Sequence, residues 1–404
     1  MPSDMFIPKW LDEQFIERSL QEGEDNTKIQ VRRISVRPAT SVGDNYCSDM
    51  FRVTVVYGVS SDLDSEARER SLIVKALPEA ESINSFLKET DAFTTETDVL
   101  RRVIPEFRRL LGRAVTLAPR CYWFADKPHQ KLVMEDLCES GFQMVQRTLG
   151  LDLDHCELAV TRLAMFHAAS FALRRRDPPS LENFREMPHL KNPDGTKCFI
   201  TFSFDSVVKK LQAWPGAERY SEKLQRLGET AFRRVVEVFR RDEDGFNVLN
   251  HGDAWKNNMM FRYAADGKVC DVAFVDFQYC YYASPVIDLQ YFLYSSPSSE
   301  VRSSQLERLV QVYHSSLART LAVLGCGDRC PSLGDLHAEL KRRSFVSVFT
   351  AVCLLPVVLA SSDRTPDLHA VVSNQATVEG AHLTDEFARE ILRLLPVFET
   401  NGWL

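Results

Sequence analysis

A few residues, by type and spacing, could carry chemistry together. The segment NVLNHGDAWKNNMMFRY, Asn247 to Tyr263, sets Asp253 five residues before Asn258, inside flanks rich in Leu, Met and Phe. VAFVDFQ follows and ends a strand-like run at Asp276. Upstream, IVKAL places Lys75 in a short apolar strand, and the helical stretch after it carries Glu89 and Glu96. The chemistry that wants these parts is transfer of a phosphoryl group from a nucleotide. A polyphosphate needs a cation, and a lysine clamped by a carboxylate holds one in place. Mg2+ takes hard oxygen ligands, which Asn258 and Asp276 could offer. The accepting hydroxyl needs a carboxylate within hydrogen-bond reach, a role that fits Asp253.

The elements that must position these residues are legible as two patterns. KIQVRRISVRPA, MFRVTVVYGV and SLIVKALPE alternate apolar and polar residues and are rich in Val and Ile, which predicts three strands. From Ser82 to Ile104 the apolar spacing turns helical, and Pro105 is expected to stop that helix. APRCYWFAD and KLVMEDL read as a hairpin through DKPHQ. After EDLCESGF the pattern changes. HCELAVTRLAMFHAASFALRRR, SFDSVVKKLQAW and YSEKLQRLGETAFRRVVEVFRR predict amphipathic helices. A small β segment, NNMMFRYAADGKVCDVAFVDF, turns at Asp266-Gly267 between Asn258 and Asp276 and would aim both at one place. The chain from Asp288 on reads as largely helical. The expectation is a β-rich lobe followed by a larger helical lobe, divided near Leu137 to Gly141.

Composition narrows the function classes. At 404 residues, two lobes or domains are the natural expectation. Hydrophobic residues at 45% and charged residues at 26% are ordinary for a globular protein. The net charge of −7 argues against a general nucleic-acid or anionic-membrane binder. The longest apolar run, FVSVFTAVCLLPVVLA, is shorter than a membrane span and contains Pro356, so it reads as a buried core helix. The first residues show no secretory signal, and the ten cysteines show no CxxC pairs. A cytoplasmic, monomeric protein with reduced thiols is the expectation.

HGDAWKNN followed by VDFQ, with SPVIDLQYFL close behind, resembles the CHK kinase-like group, which includes the ecdysteroid kinase-like proteins. More distantly it is similar to choline kinases and aminoglycoside phosphotransferases. LVMEDL, LAMFHAAS and TETDVLRRVIPEF resemble that group's pattern as well. The resemblance implies an α+β, two-lobed protein-kinase-like fold, with a small β-rich nucleotide-binding lobe over residues 1–137 and a mainly helical lobe over 138–404. It implies ATP and Mg2+ as cofactors, Asp253 as catalytic base, Asn258 and Asp276 as Mg2+ ligands, and Lys75 as the phosphate clamp. Glu96 is the preferred partner of Lys75, with Glu89 as the alternative. SVGDNYCS resembles the group's phosphate-covering loop, with Ser48 and backbone N–H groups near Asn45 as contacts, although it has one glycine where a protein-kinase loop has three. Met134 to Leu137, including Glu135, would face the adenine through backbone groups.

Blander roles suit other polar residues near these motifs. His251 and Asp288 read as supports of the catalytic segment, and His167 as a structural histidine behind the site. Tyr279, Tyr281 and Tyr282 fit core packing at least as well as an acceptor pocket. The helical part has no APE-type segment of the kind that holds a peptide, which favours a small-molecule hydroxyl as acceptor. The resemblance implies an ecdysteroid or a hydroxylated xenobiotic. A choline- or ethanolamine-type kinase and a pseudokinase that binds without turnover are the alternatives.

Overall fold

The computed structural model describes residues 7–39, 48–59, 66–77, 91–112, 114–125, 130–146, 149–187, 190–361, 364, 371 and 382–404. The alternating segments form an antiparallel sheet of β1 (Gln30–Pro38), β2 (Asp49–Gly58), β3 (Arg68–Ala76), β4 (Cys121–Ala125) and β5 (Lys131–Glu135), ordered β1-β2-β3-β5-β4. Side chains alternate across a strand, so Phe51, Val53, Val55 and Tyr57 of β2 share one face. That face is buried under Ile16 and Leu20 of α1 (Glu13–Gly23). The α1 helix was not expected from the sequence. On the opposite face of β3, Ile73 and Lys75 look toward the second layer.

That layer is a long helix. Its described part begins at α2 (Ala92–Asp98), passes through a π-helical turn (Val99–Val103) and continues as α3 (Ile104–Leu111). The expected stop at Pro105 is therefore corrected, while residues 82–90 of the predicted span lie outside the described residues. In the π-turn the N–H of Ile104 reaches back to the carbonyl of Val99. This restarts the ladder just before the proline. Pro105 thus falls in a first turn, where its missing N–H has no partner to lose. Pro105→Ala should accordingly change stability by less than about 1 kcal/mol in urea unfolding; a loss of several kcal/mol would contradict this account.

The remainder is mainly helical. It contains α4 (Leu153–Arg176), α5 (Pro193–Gln212), α6 (Glu218–Phe239), α7 (Val286–Ser295), α8 (Ser299–Ser304), α9 (Leu306–Val323), α10 (Leu333–Arg342), α11 (Phe345–Phe349), α12 (Leu355–Leu359) and α13 (Asp385–Thr400). Between α11 and α12 a second π-turn (Thr350–Leu354) precedes Pro356, repeating the device at Pro105, and this apolar run is buried as expected. By length and composition, α4 is the one single helix among the described residues that could cross a bilayer, and 72% of its apolar window is buried inside the protein. It packs along α9.

Two small sheets interrupt the helices. One is β6 (Phe142–Met144), β8 (Met259–Tyr263) and β9 (Val269–Phe274), ordered β6-β8-β9. The other pairs β7 (Val248–Asn250) with β10 (Tyr281–Ala283). The expected hairpin between Asn258 and Asp276 is β8–β9, turning at Gly267 with φ +81. The two-lobed α+β architecture is thus present.

Candidate active site

Residues 251–258 link β7 to β8, so both ends of this loop are clamped in a strand ladder. Gly252 has φ +81, and a Cβ there would overlap the carbonyl oxygen of Tyr279, so only glycine fits. Asp288, on α7 and 1% exposed, accepts from the backbone N–H of His251 (2.6 Å) and of Gly252 (2.9 Å) and from Nε2 of His167 (3.1 Å). His167 Nδ1 meets the Tyr313 hydroxyl at 2.8 Å. His251 Nε2 lies 3.1 Å from the Val275 carbonyl, and its Nδ1 accepts from the Asp253 N–H at 3.3 Å. These bonds fix a neutral tautomer, and burial presses the His251 pKa down despite Asp288 nearby. Asp288 and both histidines thus hold the loop. Asp288→Ala would strand three donors, two of them buried, at a cost on the order of 3 kcal/mol. Denaturant unfolding should read this loss, and an unchanged midpoint would remove Asp288 from that role.

The loop presents Asp253 with both carboxylate oxygens engaged. Oδ1 accepts from the Tyr291 hydroxyl, and Oδ2 accepts from Asn258 Nδ2 at 2.8 Å. Asn258 Nδ2 also donates to the Asp253 carbonyl at 3.0 Å. Burial of the carboxylate pushes its pKa up to about 7, with Asp276 adding to the rise and the bonds from Tyr291 and Asn258 opposing it. A carboxylate poised near neutrality suits proton abstraction. Tyr291 went unnoticed in the sequence. It lies three residues after Asp288 on one helix, hence on the same face, and that spacing in DLQYFL was the available signal.

Asp276 follows β9 in the left-handed region, with φ +66. Aspartate tolerates that conformation better than most residues, at a cost of roughly 1–2 kcal/mol. It turns the carboxylate toward Lys75. Lys75 Nζ donates to Asp276 Oδ1 at 2.7 Å and to Glu96 Oε2 at 2.6 Å. Lys75 is 4% exposed and Glu96 2%. Burial works against the lysine's charge, but Asp276 and Glu96 outweigh it and raise its pKa. Burial raises the Glu96 pKa, and Lys75 opposes that rise. The Val275 N–H donates to the Asn258 carbonyl at 3.0 Å, which ties the two ends of the hairpin together.

Lys75, Glu96, Asn258 and Asp276 all border one cavity of about 400 Å³ between the five-stranded sheet and the β6-β8-β9 sheet. Met134, Glu135, Asp136 and Leu137 form another of its walls. The Glu135 backbone N–H is committed to the Arg120 carbonyl (2.8 Å), and its carboxylate accepts from the Arg120 N–H (3.0 Å). Asp136 is tied by Arg52 Nε at 2.6 Å and the Ser71 hydroxyl at 2.7 Å, so these strand ends are cross-braced. No local sequence pattern signals that network. Ser48 is buried just before β2, two residues ahead of Met50, the register partner of Lys75. It does not border this cavity. Asn45, most of the SVGDNYCS loop and Glu89 lie outside the described residues. Tyr279, Tyr281 and Tyr282 are buried, as packing residues would be.

The donor chemistry fits Mg2+. No three His, Cys, Asp or Glu side chains converge among the described residues. An all-protein cage is thus absent there, and Mg2+ in nucleotide sites does not need one. With its Nδ2 spent on Asp253, Asn258 has Oδ1 to offer, and Asp276 adds a carboxylate on the same cavity wall.

A family model described as ecdysteroid kinase-like matches residues 42–326. No curated protein matches the chain. Among solved structures, one assigned as a fructosamine-3-kinase, from Haemophilus somnus 129PT, is 11% identical with a TM-score of 0.35, covering 85% of this chain and 96% of that one. A thermostable mutant of aminoglycoside phosphotransferase APH(4)-Ia, in complex with AMP-PNP and hygromycin B, is 12% identical with a TM-score of 0.32, covering 84% and 98%. Likenesses this distant carry no weight for function.

Proposed function

The chain belongs to the ecdysteroid kinase-like family, and from that premise we propose that it is an ATP- and Mg2+-dependent phosphotransferase acting on a hydroxyl of a small lipophilic molecule. The observation that carries this reading is the meeting, around one cavity, of a lysine bridged by two carboxylates with Asn258, whose amide is bonded to the Asp253 carboxylate.

Each residue then has a task. Residues 1–137 form the nucleotide lobe, with the adenine edge against Met134 to Leu137. Lys75, kept in place by Glu96, holds the phosphates. Asn258 Oδ1 and the Asp276 carboxylate would hold Mg2+, which would supply positive charge to offset that of the phosphates. Asp253 orients the acceptor hydroxyl and takes its proton as the hydroxyl oxygen bonds to the γ-phosphorus. The bond from that phosphorus to the β,γ-bridging oxygen breaks, and ADP leaves. Tyr291 and Asn258 fix the direction in which the Asp253 carboxylate points.

The acceptor is an ecdysteroid or a hydroxylated xenobiotic in this reading. ADP release with Mg-ATP, measured across ecdysteroids, hydroxylated xenobiotics, choline and ethanolamine, tests it. Turnover with a steroid or xenobiotic alcohol is expected. Turnover with choline or ethanolamine alone would replace the lipophilic acceptor, and nucleotide binding without turnover on any of these would favour a pseudokinase.

A further inference from the structure

A second cavity, of about 1170 Å³, lies behind the site, between the α2–α3 helix and the edge strand β4. Four guanidiniums border it, those of Arg101, Arg108, Arg109 and Arg120, against the two carboxylates of Glu22 and Glu135. That excess of positive charge sits on a chain whose net charge is −7.

The four arginines are not equally engaged. Arg109 pairs with Glu106, and Arg120 reaches Glu24 at 3.4 Å. Arg101 and Arg108 have no carboxylate within 4.0 Å among the described residues. Arg101 lies over the Phe124 ring, 3.8 Å from its centroid. Arg108 is half-buried and donates to the Ala118 carbonyl at 2.6 Å, a neutral partner. Burial depresses the Arg108 pKa, with Glu135 opposing and Arg120 adding to the effect. A half-buried guanidinium held only by a carbonyl is a donor fork awaiting an anion.

We propose that this cavity is a binding site for a multiply charged organic phosphate, gripped by Arg101 and Arg108 with Arg120 at its edge. Phosphate suits the site better than a single carboxylate, because its oxygens can be shared by two guanidinium forks. The cavity has room for more than one phosphate group. Trp123 and Phe124, also on its wall, offer apolar surface to an organic body. Apart from Glu135 the two cavities share no lining residue, so this site is separate from the one that holds Lys75.

Calorimetric titration of the full chain with inositol hexakisphosphate and with inorganic pyrophosphate tests the proposal. Saturable binding of inositol hexakisphosphate is expected, weakened about tenfold or more in Arg101→Gln combined with Arg108→Gln, since each lost contact is a hydrogen bond from a charged donor. Arg101→Gln alone, at an exposed position whose loss should leave the fold intact, should weaken it severalfold. Lys75→Met should leave it unchanged. No saturable binding to the wild type would overturn the proposal. So would the reverse pattern, binding lost in Lys75→Met and kept in the arginine variants, which would put the anion in the nucleotide cavity.

Discussion

Asp253→Asn should lower turnover by about a thousandfold while leaving nucleotide affinity nearly unchanged. The asparagine keeps the shape of the side chain and can still accept one hydrogen bond, so the loop clamped by Asp288 has no reason to move. It cannot take a proton. Asp253 is absent from the wall of the cavity that Lys75 and Asp276 border, so its loss should not disturb the phosphates. Initial rates of ADP formation and a separate nucleotide titration measure the two quantities. Turnover within about tenfold of the wild type would remove Asp253 as the base.

Asp276→Asn should act on the other quantity. Asparagine tolerates the left-handed backbone at this position as well as aspartate does, so the turn is preserved and only the charge is lost. Lys75 keeps Glu96 as its partner. Mg-nucleotide affinity should fall by about 100-fold or more, because even residues behind a metal ligand contribute 10–100-fold when removed. Titrating the nucleotide with and without Mg2+ separates the roles: the metal dependence should be much weaker in the variant. An affinity that still rises with Mg2+ as in the wild type would contradict the assignment.

What the sequence displayed was what is local. Strand alternation placed β1, β2 and β3, and the hairpin between Asn258 and Asp276 followed from two short β segments around Asp266-Gly267. The resemblance favours Glu96 over Glu89, and the structure puts Glu96 on Lys75. Long-range pairings were not displayed. Lys75 meets a carboxylate 201 residues away, and no local pattern encodes that. Pro105 misled because its usual effect assumes an unbroken i to i−4 ladder, whereas here a π-turn resets the ladder first. The α1 helix escaped because its stripe is narrow, with Ile16 and Leu20 burying most deeply in EQFIERSLQEG. Tyr291 was hidden among the apolar residues of α7, all of them buried.

The most direct test of the account follows the phosphate itself. Purified protein is incubated with Mg2+, ATP labelled on the γ-phosphate and an ecdysteroid or xenobiotic alcohol, with Asp253→Asn in parallel. The account predicts label on the acceptor as an acid-stable phosphate ester with the wild type and almost none with the variant. Label appearing only as inorganic phosphate, or equally with both proteins, would contradict it.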